Sequence, residues 1–554
     1  MKTILASVSD KTGLADLIKH LQRFDEAVTV YATGSTAQYL NDHGIDSLTV
    51  DSLTGFPEIL GGRVKTLHPK VFGGLLATDS DEHRQTLADH GIPAIDLAIV
   101  NLYPFQSTVA KSGTTMAEAI ETIDIGGVAL IRAAAKNWQR VAVLCNPHQY
   151  NTFMASVEAH RGQLTDELRQ RLSLEAFQHT AQYDTAISTW LGGQLTGTAH
   201  SQATATTLPD ARDVGLIKIQ DLRYGENPDQ PAAWYRPQQW LQAKKTTVAA
   251  GNSFKVAPGN NGGNGGSTSL KGLDDARPFT QLQGKPMSAN NIVDAYAAYA
   301  VSHTFADLPA CAVIKHNNPC GVAVGVTLEE AYQKAYAADP VSAFGGVFGF
   351  NQPVTEPIAE ALIEQFFEIA IAPGYTEGAL ARFAKKKNVR VLQLSPDIAL
   401  QRSPWMLKDL NEFGLVWQAN PIDDSVPALT VVTEKTLSEA ERQDVLFGWS
   451  VVKHLTSNAI AVVKDGQTLG IGVGQTSRIA STQQALAQAG DKAKGAILAS
   501  DGFFPATDNI EAAAEAGIRI IIQPGGSLKD ADVIAKANDC GMVMVTTGQR
   551  CFKH

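Results

Sequence analysis

The chain has little of what staples, coordinates or spans. Five cysteines, Cys145, Cys311, Cys320, Cys540 and Cys551, are scattered over 554 residues. An odd and sparse set argues against a disulfide framework. No C-x-x-C pair occurs, so a structural zinc site is not expected. The opening MKTILASVSDK has too short an apolar run for a secretory signal peptide. No apolar stretch reaches the roughly 18 residues of a transmembrane helix. Charged residues are also scarce, at 18% against a usual value of about 25%. Those present lean acidic, with 46 Lys and Arg against 56 Asp and Glu and a net charge of −10. That balance excludes broad nucleic-acid or membrane-surface binding as an expectation, while leaving local basic pockets for small anions. A reduced, cytoplasmic protein is expected.

What is present is globular. Hydrophobic residues make up 44%, and the length suggests about three or four domains. Over the first 150 or so residues, short apolar runs alternate with helical patterning. Ile4–Val8, Ala27–Ala32, Ile95–Leu102 and Val141–Cys145 read as strands, and Met116 to Ala135 reads as a helix broken at Gly126-Gly127. Such alternation implies a doubly wound parallel sheet with helices on both faces. Residues 151–195 pattern as helix, and the Thr/Ala/Gly/Ser-rich run from Thr196 to Pro209 reads as a boundary. The Gly/Asn run from Gly259 to Ser267 cannot bury a core and reads as a mobile surface insertion. Beyond it, strands are expected at Cys311–Ile314, Gly345–Phe350, Ala459–Val463, Ile497–Ser500 and Ile518–Ile522. No fixed-period repeat is visible.

Several constellations carry chemistry. The strand-to-helix turns Ser9–Gly13 and Thr33–Thr36 suit a phosphate, because helix N-termini offer free N–H groups and partial positive charge. Each alone also reads as an ordinary cap. Gly61 to Pro69 packs Arg63, Lys65, Thr66 and His68 into one loop. Asp124-Ile125-Gly126-Gly127 offers either an oxyanion-binding set of amides or a plain capped helix break. Lys136-Asn137 ends that helix, where a lysine also suits the dipole. In the C-terminal half a strand delivers Lys315 and His316 together into a turn. Histidine can accept a proton near neutral pH and lysine can stabilise developing negative charge. Pro319-Cys320 suggests a zinc deaminase, but that chemistry needs H-x-E and P-C-x-x-C. No H-x-E occurs and Cys320 precedes Gly-Val-Ala, so no metal is expected. Gly470-Ile471-Gly472-Val473-Gly474 looks like a nucleotide loop without the G-x-G-x-x-G spacing, and no P-loop sequence occurs. Arg478 beside it suits a phosphate. Phe503 and Phe504, after Ser500-Asp501-Gly502, suit either stacking on a heterocycle or core packing.

In order, the chain carries Ser9–Gly13, Gly62–Pro69, Asn101-Leu102-Tyr103-Pro104-Phe105, Asp124–Gly127, Leu222-Arg223-Tyr224-Gly225-Glu226-Asn227-Pro228, Lys315-His316, Ser342-Ala343-Phe344-Gly345-Gly346 and Ser500–Pro505. This series resembles the bifunctional purine-biosynthesis family that joins AICAR transformylase to IMP cyclohydrolase. The resemblance spans essentially the whole chain except the Gly/Asn insertion and its flanks. It implies a methylglyoxal-synthase-like cyclohydrolase domain over 1–145, a helical connecting segment and linker over 146–200, and a transformylase region over 201–554. That region would hold two related cytidine-deaminase-like α/β subdomains without zinc. The family's proteins are homodimers with transformylase sites shared between subunits.

The same resemblance implies two reactions. In the first, the amine of AICAR attacks the formyl carbon of the co-substrate 10-formyltetrahydrofolate. His316 would be the base, Lys315 would stabilise the oxyanion or help protonate the leaving nitrogen, and Asn458 would orient the formyl group. Arg223, Tyr224, Asn291, Arg478, Phe503, Asp508 and Arg550 match nucleotide-binding positions, and Ile479, Ser527 and Leu528 match folate-side positions. In the second, formyl-AICAR closes to IMP with loss of water. Lys65, Tyr103, Asp124 and Lys136 match the catalytic positions, with Lys136 as proton donor and acceptor. Ser9, Lys11, Gly34, Ser35, Thr36, Arg63, Thr66, Asn101, Ile125, Gly126 and Gly127 match the nucleotide-binding ones.

One position departs from the pattern. After Asn227-Pro228 the family has His and then Gln, whereas here Asp229 precedes Gln230. An ionised carboxylate cannot donate a hydrogen bond and repels phosphate. With Lys315-His316 intact, Asp229 is expected to be tolerated. Two other readings stay open at this point: a nucleotide-binding regulatory protein, and a cyclohydrolase whose transformylase is impaired.

Overall fold

The structure is a computed structural model that describes residues 2–111, 113–195, 214–237, 277–396, 398, 405–419 and 427–554. The expected boundary at Thr196–Pro209 and the Gly/Asn run lie outside the described residues. The chain divides into two compact units, Met1–Val214 and Gly215–His554.

The first unit is built on β1 (Thr3–Val8), β2 (Thr29–Ala32), β3 (Leu48–Thr49), β4 (Leu97–Asn101) and β5 (Ala142–Leu144). They form one sheet in the order β3-β2-β1-β4-β5, and every pairing is parallel. Its helices are α1 (Leu14–Gln22), α2 (Gly34–Asp42), α3 (Val50–Thr54), α4 (Pro69–Leu76), α5 (Asp81–Asp89), α6 (Phe105–Val109), α7 (Met116–Glu121), α8 (Ile125–Lys136), α9 (Tyr150–Ala159) and α10 (Asp166–Leu195). The period-2 alternation of β1 sorts its side chains onto two cores. Ile4, Ala6 and Val8 face Leu14, Leu17, Ile18 and Leu21 of α1, while Leu5 faces Val71 and Leu75 of α4 and Leu130 and Ile131 of α8. The expected doubly wound sheet is therefore present.

One expected feature is displaced. The break in the helical run over 116–135 falls at Thr122–Asp124, not at the glycines, which lie in the first turn of α8. The reason is the cap. Asp124 takes the N–H of Gly127 at 2.7 Å, and a Cβ on Gly127 would sit 2.5 Å from that carboxylate.

The second unit opens with a hairpin, β6 (Leu216–Leu222) and β7 (Ala232–Pro237). Then follow β8 (Phe279–Gln283), α11 (Ala289–Ser302), β9 (Ala310–Lys315), β10 (Asn318–Val324), α12 (Leu328–Ala338), α13 (Pro340–Ala343), β11 (Val347–Phe350), α14 (Glu356–Ile363), β12 (Ile369–Ala372), α15 (Glu377–Phe383) and β13 (Arg390–Leu394). A second hairpin, β14 (Trp405–Asp409) and β15 (Leu415–Ala419), precedes β16 (Thr430–Val431), α16 (Glu439–Val452), β17 (Ile460–Lys464), β18 (Gln467–Gly472), α17 (Arg478–Ala489), β19 (Ile497–Ser500), α18 (Asp508–Glu515), β20 (Ile520–Gln523), α19 (Asp530–Asp539) and β21 (Val543–Thr546).

Twelve of these strands form one sheet in the order β16-β21-β20-β19-β17-β18-β10-β9-β11-β12-β13-β8. Reading outward from the β10–β18 seam, the two halves are the same module, with the same element order and the same pattern of parallel and antiparallel pairings. The duplication has no sequence period, because what it preserves is topology and a few backbone-critical positions. One face carries a single core in which α11 and α16 cover strands of both copies. The other face carries a separate core for each copy.

The Gly470–Gly474 run is not a nucleotide loop. Gly470 and Gly472 lie inside β18, where added Cβ atoms would stand 2.0 Å from the Ala485 carbonyl oxygen and 1.9 Å from that of Ser481. They are glycines because α17 packs directly on the strand backbone. The first copy repeats the device, with a Cβ on Gly321 of β10 falling 2.0 Å from the Ala335 oxygen in α12. Gly472→Ala is expected to cost about 3 kcal/mol, read as a lower urea midpoint for the second unit. Gly192→Ala, whose new methyl meets open space in α10, should be neutral or slightly stabilising.

Candidate active sites

In a parallel sheet the ends where strands hand over to helices gather the free N–H groups. In the first unit β1 and β4 end side by side, with Val8 opposite Asn101. Asn101 fastens the turn that follows β1. Its Oδ1 accepts the N–H groups of Ser9 at 2.6 Å and Asp10 at 3.0 Å and the Ser9 hydroxyl at 2.9 Å, and its Nδ2 donates to the Asp10 carbonyl at 2.7 Å. Lys11 stands half-buried in the same turn. Next to it α2 opens on Gly34-Ser35-Thr36 with no side-chain cap. Thr36 is buried, and its hydroxyl accepts from Val8 N at 3.2 Å. Gly34 and Ser35 are exposed, so the first turn of α2 is open to an anion.

The loop before α4 meets the start of α8. The Lys65 amine lies 3.5 Å from the Tyr103 hydroxyl. Thr66 is buried, and an added Cβ on Gly126 would stand 2.9 Å from its Oγ1. Burial pushes the Asp124 carboxyl up from its ordinary range, while the N–H groups of Gly127 and Tyr103 and the charge of Lys65 pull it down. Ile125 and Gly126 keep their N–H groups at the helix start, but the Gly127 N–H is taken by Asp124. Arg63 is ion-paired with Glu121. A hollow of about 180 Å³ beside this loop is lined by Thr54, Phe56, Pro57, Val64, Lys65, Leu67 and His68.

Lys136 is not brought to this cluster. It ends α8, whose start carries Asp124, and twelve residues of helix span about 18 Å. Its neighbour Asn137 donates to the carbonyls of Leu75 and Ala77, at the far end of α4. Tyr183 of α10 is a member that local sequence did not reveal. Its hydroxyl accepts the Asp124 N–H at 2.8 Å and donates to the Thr122 carbonyl at 3.1 Å.

In the second unit one edge of the twelve-stranded sheet gathers residues from both copies. The hairpin joining β9 to β10 turns through His316 at φ 51° and Asn317 at φ 63°. The Lys315 amine donates to the carbonyls of Phe344 at 2.8 Å and Gly345 at 3.3 Å, and His316 is exposed. Asn318 Oδ1 accepts the N–H of Thr456 at 3.0 Å, tying this turn to the segment that leads into β17. There Asn458 is held at both ends of its amide. Oδ1 accepts from Arg478 Nη2 at 2.8 Å and Nδ2 donates to the Gln475 carbonyl at 2.8 Å.

Arg478 does not stand open for a phosphate. Its guanidinium is buried, ion-paired with the fully buried Asp501 and bonded to Ser500 Oγ at 3.0 Å. Phe503 is partly exposed whereas Phe504 is core, which settles which aromatic can meet a ligand. Arg550 lies over the Phe552 ring at 5.0 Å. Asp508 accepts from its neighbour Asn509 at 2.8 Å at the start of α18. Ile479 is half-buried at the head of α17, and Ser527 and Leu528 follow β20, with Leu528 fully exposed.

On the first copy's side, Arg223 lies 5.1 Å above the Tyr224 ring. The two join the head of α11 through hydrogen bonds from Arg223 N to the Met287 carbonyl at 2.8 Å and from Ala289 N to the Tyr224 carbonyl at 3.0 Å. Asn291 is buried in the capping box of α11, and its Nδ2 donates to Glu368 at 3.2 Å. Asp229 is exposed in the β6–β7 connection.

A parallel-sheet unit with anion-receiving turns, followed by a duplicated α/β unit with a Lys–His turn, is the arrangement of an α/β protein with a candidate site in each unit. A family model described as an AICARFT/IMPCHase bienzyme matches residues 134–488, and one described as an MGS-like domain matches residues 13–129. Proteins named bifunctional purine biosynthesis protein PurH align over nearly the full chain. That of Desulfitobacterium hafniense (strain DSM 10664 / DCB-2) is 42% identical over 548 residues, 99% of each chain. That of Xanthomonas campestris pv. campestris (strain 8004) is 44% identical over 559 residues, 100% of this chain and 99% of that one. That of Synechococcus elongatus (strain ATCC 33912 / PCC 7942 / FACHB-805) is 45% identical over 555 residues, 99% of each. The chain belongs to the AICARFT/IMPCHase bienzyme family. It is a bifunctional purine-biosynthesis enzyme, a formyltransferase and IMP cyclohydrolase for the last two steps to IMP.

Tyr183→Phe removes the hydroxyl that accepts the Asp124 N–H and donates to the Thr122 carbonyl. It should cost about 1–3 kcal/mol and lower ring closure several-fold, with transformylase turnover unchanged when both are assayed on the same preparation.

Proposed function

We propose the following division of labour. The first unit binds the phosphate of formyl-AICAR on the turns at Ser9–Lys11 and Gly34–Thr36. Lys65, Tyr103 and Asp124 surround the reacting groups. Ring closure is intramolecular, so holding carboxamide and formyl group together supplies most of the acceleration. As the carboxamide nitrogen attacks, the formyl oxygen gains charge, which Lys65 and the N–H groups of Ile125 and Gly126 stabilise. Proton transfer falls to the Lys65–Tyr103–Asp124 cluster rather than to Lys136, which stands at the far end of α8.

The second unit transfers the formyl group from 10-formyltetrahydrofolate, a co-substrate. The amine of AICAR is a weak nucleophile because its lone pair is delocalised, so its proton must leave as the N–C bond forms. His316 takes that proton, Lys315 stabilises the tetrahedral oxyanion, and Asn458 orients the formyl oxygen; the intermediate then collapses with cleavage of the formyl carbon–N10 bond, and the proton returns to N10 as tetrahydrofolate leaves. Arg223, Tyr224, Phe503 and Arg550 hold the nucleotide, and Ile479, Ser527 and Leu528 face the folate. The observation that carries this reading is the Asn318–Thr456 hydrogen bond, which draws the Lys315-His316 turn and the Asn458 segment onto one sheet edge.

The working form is a cytoplasmic homodimer with the transformylase site completed by the second subunit. The exposed Phe413 and Leu415 of the β14–β15 hairpin support an apolar contact with another copy. No helix among the described residues is long and apolar enough to cross a membrane.

With AICAR and 10-formyltetrahydrofolate supplied, tetrahydrofolate and IMP should both form. His316→Ala should lower tetrahydrofolate release by about a thousandfold, while IMP still forms from added formyl-AICAR. Asp229→His should change turnover by less than about tenfold, and a gain of orders of magnitude would make Asp229 a lesion. Lys65→Met should lower ring closure by about a hundredfold or more, and Lys136→Met should leave it within about threefold. The reverse order would return the proton role to Lys136.

A further inference from the structure

The two copies of the module serve as controls for each other. β9 ends in Lys315, which donates to the carbonyls of Phe344 and Gly345. β17 ends in Lys464, which donates to the equivalent carbonyl of Lys494 at 3.4 Å. Both strands then enter left-handed turns, His316 at φ 51° and Asn317 at φ 63° in one, Asp465 at φ 53° and Gly466 at φ 66° in the other. An aspartate grips each turn, and it is the sixth residue of the helix before the strand in both copies, Asp294 in α11 and Asp444 in α16.

The grips differ. Asp444 uses both oxygens on the backbone, accepting from Asp465 N at 2.9 Å and Gly466 N at 2.8 Å, and its turn has no imidazole. Asp294 accepts from Asn317 N at 2.7 Å through Oδ1 alone. Its carboxylate is partly buried and within electrostatic reach of His316 and Lys315. Burial pushes its pKa up and Glu368 adds to that, while the Asn317 N–H and the His316 and Lys315 charges draw it down. Other charged groups near the turn have partners of their own. Glu368 is paired with Arg390 at 3.2 Å, and the Lys553 amine reaches the Asn317 carbonyl at 3.5 Å and that of His454 at 3.0 Å.

We propose that Asp294 is a positioning residue for formyl transfer, a turn clamp that in this copy also orients His316 and stabilises its imidazolium as the substrate amine gives up its proton. The inference rests on the reading of His316 as the base. The proton moves from the amine nitrogen to His316 as that nitrogen bonds the formyl carbon; the formyl carbon–N10 bond then breaks, and the imidazolium returns the proton to N10 as tetrahydrofolate leaves, with Asp294 ionised throughout, in the manner of a third group that orients a catalytic base.

The test compares full-length Asp294→Asn, Asp294→Glu and Asp444→Asn. Tetrahydrofolate release is followed from about pH 5.5 to 9, and ring closure of formyl-AICAR checks that each chain is folded. An amide still accepts the Asn317 N–H but carries no charge. Asp294→Asn should therefore lower kcat about tenfold, leave the KM for AICAR within about twofold, and move the acid limb of the profile down by about half a pH unit or more, because the imidazolium loses its counter-charge. Asp294→Glu should restore part of kcat and return the limb toward its original place. Asp444→Asn should leave the limb in place. An unshifted limb in Asp294→Asn, whether kcat holds or falls together with the melting temperature, would reduce Asp294 to the purely structural role of Asp444. Undiminished tetrahydrofolate release by His316→Gln would instead overturn the reading of His316 itself, whatever Asp294→Asn does.

Discussion

Where β10 meets β18, Ala323 lies opposite Gln467 and the strands run in opposite directions. Buried Thr468 secures the seam, its hydroxyl accepting from Val322 N at 3.0 Å and donating to the Val322 carbonyl at 3.3 Å. Because this pairing is antiparallel, the parallel strands of one copy point opposite to those of the other. The edge that receives the end of β9 from the first copy receives the C-terminal ends of β19, β20 and β21 from the second. One end of the sheet is thus furnished by opposite ends of the same module. The first copy brings a lysine and histidine on a hairpin, and the second brings Phe503 and Ser527-Leu528 on two successive strand-to-helix loops and Arg550 on the segment that follows β21. Two parallel-oriented copies would have placed these sets on opposite edges.

Much of this was legible in the sequence, and the misses have physical causes. Central strands such as Ile4–Val8, Cys311–Ile314 and Ile497–Ser500 announce themselves because burial on both faces makes them continuous apolar runs. Edge strands and hairpins such as β6–β7, β14–β15 and β16 do not, since half of each faces solvent. Glycine was the ambiguous letter. At Gly126-Gly127 and Gly470–Gly472 it suggests a break or a ligand loop, yet in both places it marks a backbone crowded by a neighbour, a carboxylate cap in one and a helix in the other. Motif residues such as Lys65, Asp124 and Lys315-His316 could be listed from the chain alone. Their supporting partners could not, because Tyr183 lies 59 residues from Asp124 and Asp294 lies 23 from Asn317, and each meets its partner only through the fold.

The charged residues show a common economy. Arg63 leans on Glu121, Arg478 on Asp501, and Arg390 on Glu368. Arg478 and Arg390 are buried, and isolated buried charges are costly, so each is kept in company by a carboxylate, whereas the Arg63 pair is exposed. Such partners hold the guanidinium in a fixed orientation. Asn458 benefits directly, since its amide is aligned by the same Arg478 that Asp501 immobilises.

The bonds around the Asn317 turn also have a temporal side. The Asn317 carbonyl finds its Lys553 partner 236 positions later in the chain, and Lys553 in turn bonds Ser457, the neighbour of Asn458. The core of the first unit, by contrast, closes among residues that all precede Leu195. On the ribosome, where domains fold as they emerge, the first unit can close long before the second. The Asn317 turn gains its bond from Lys553 only after residue 553 has left the exit tunnel, so the first unit can be complete while that turn is still unfastened.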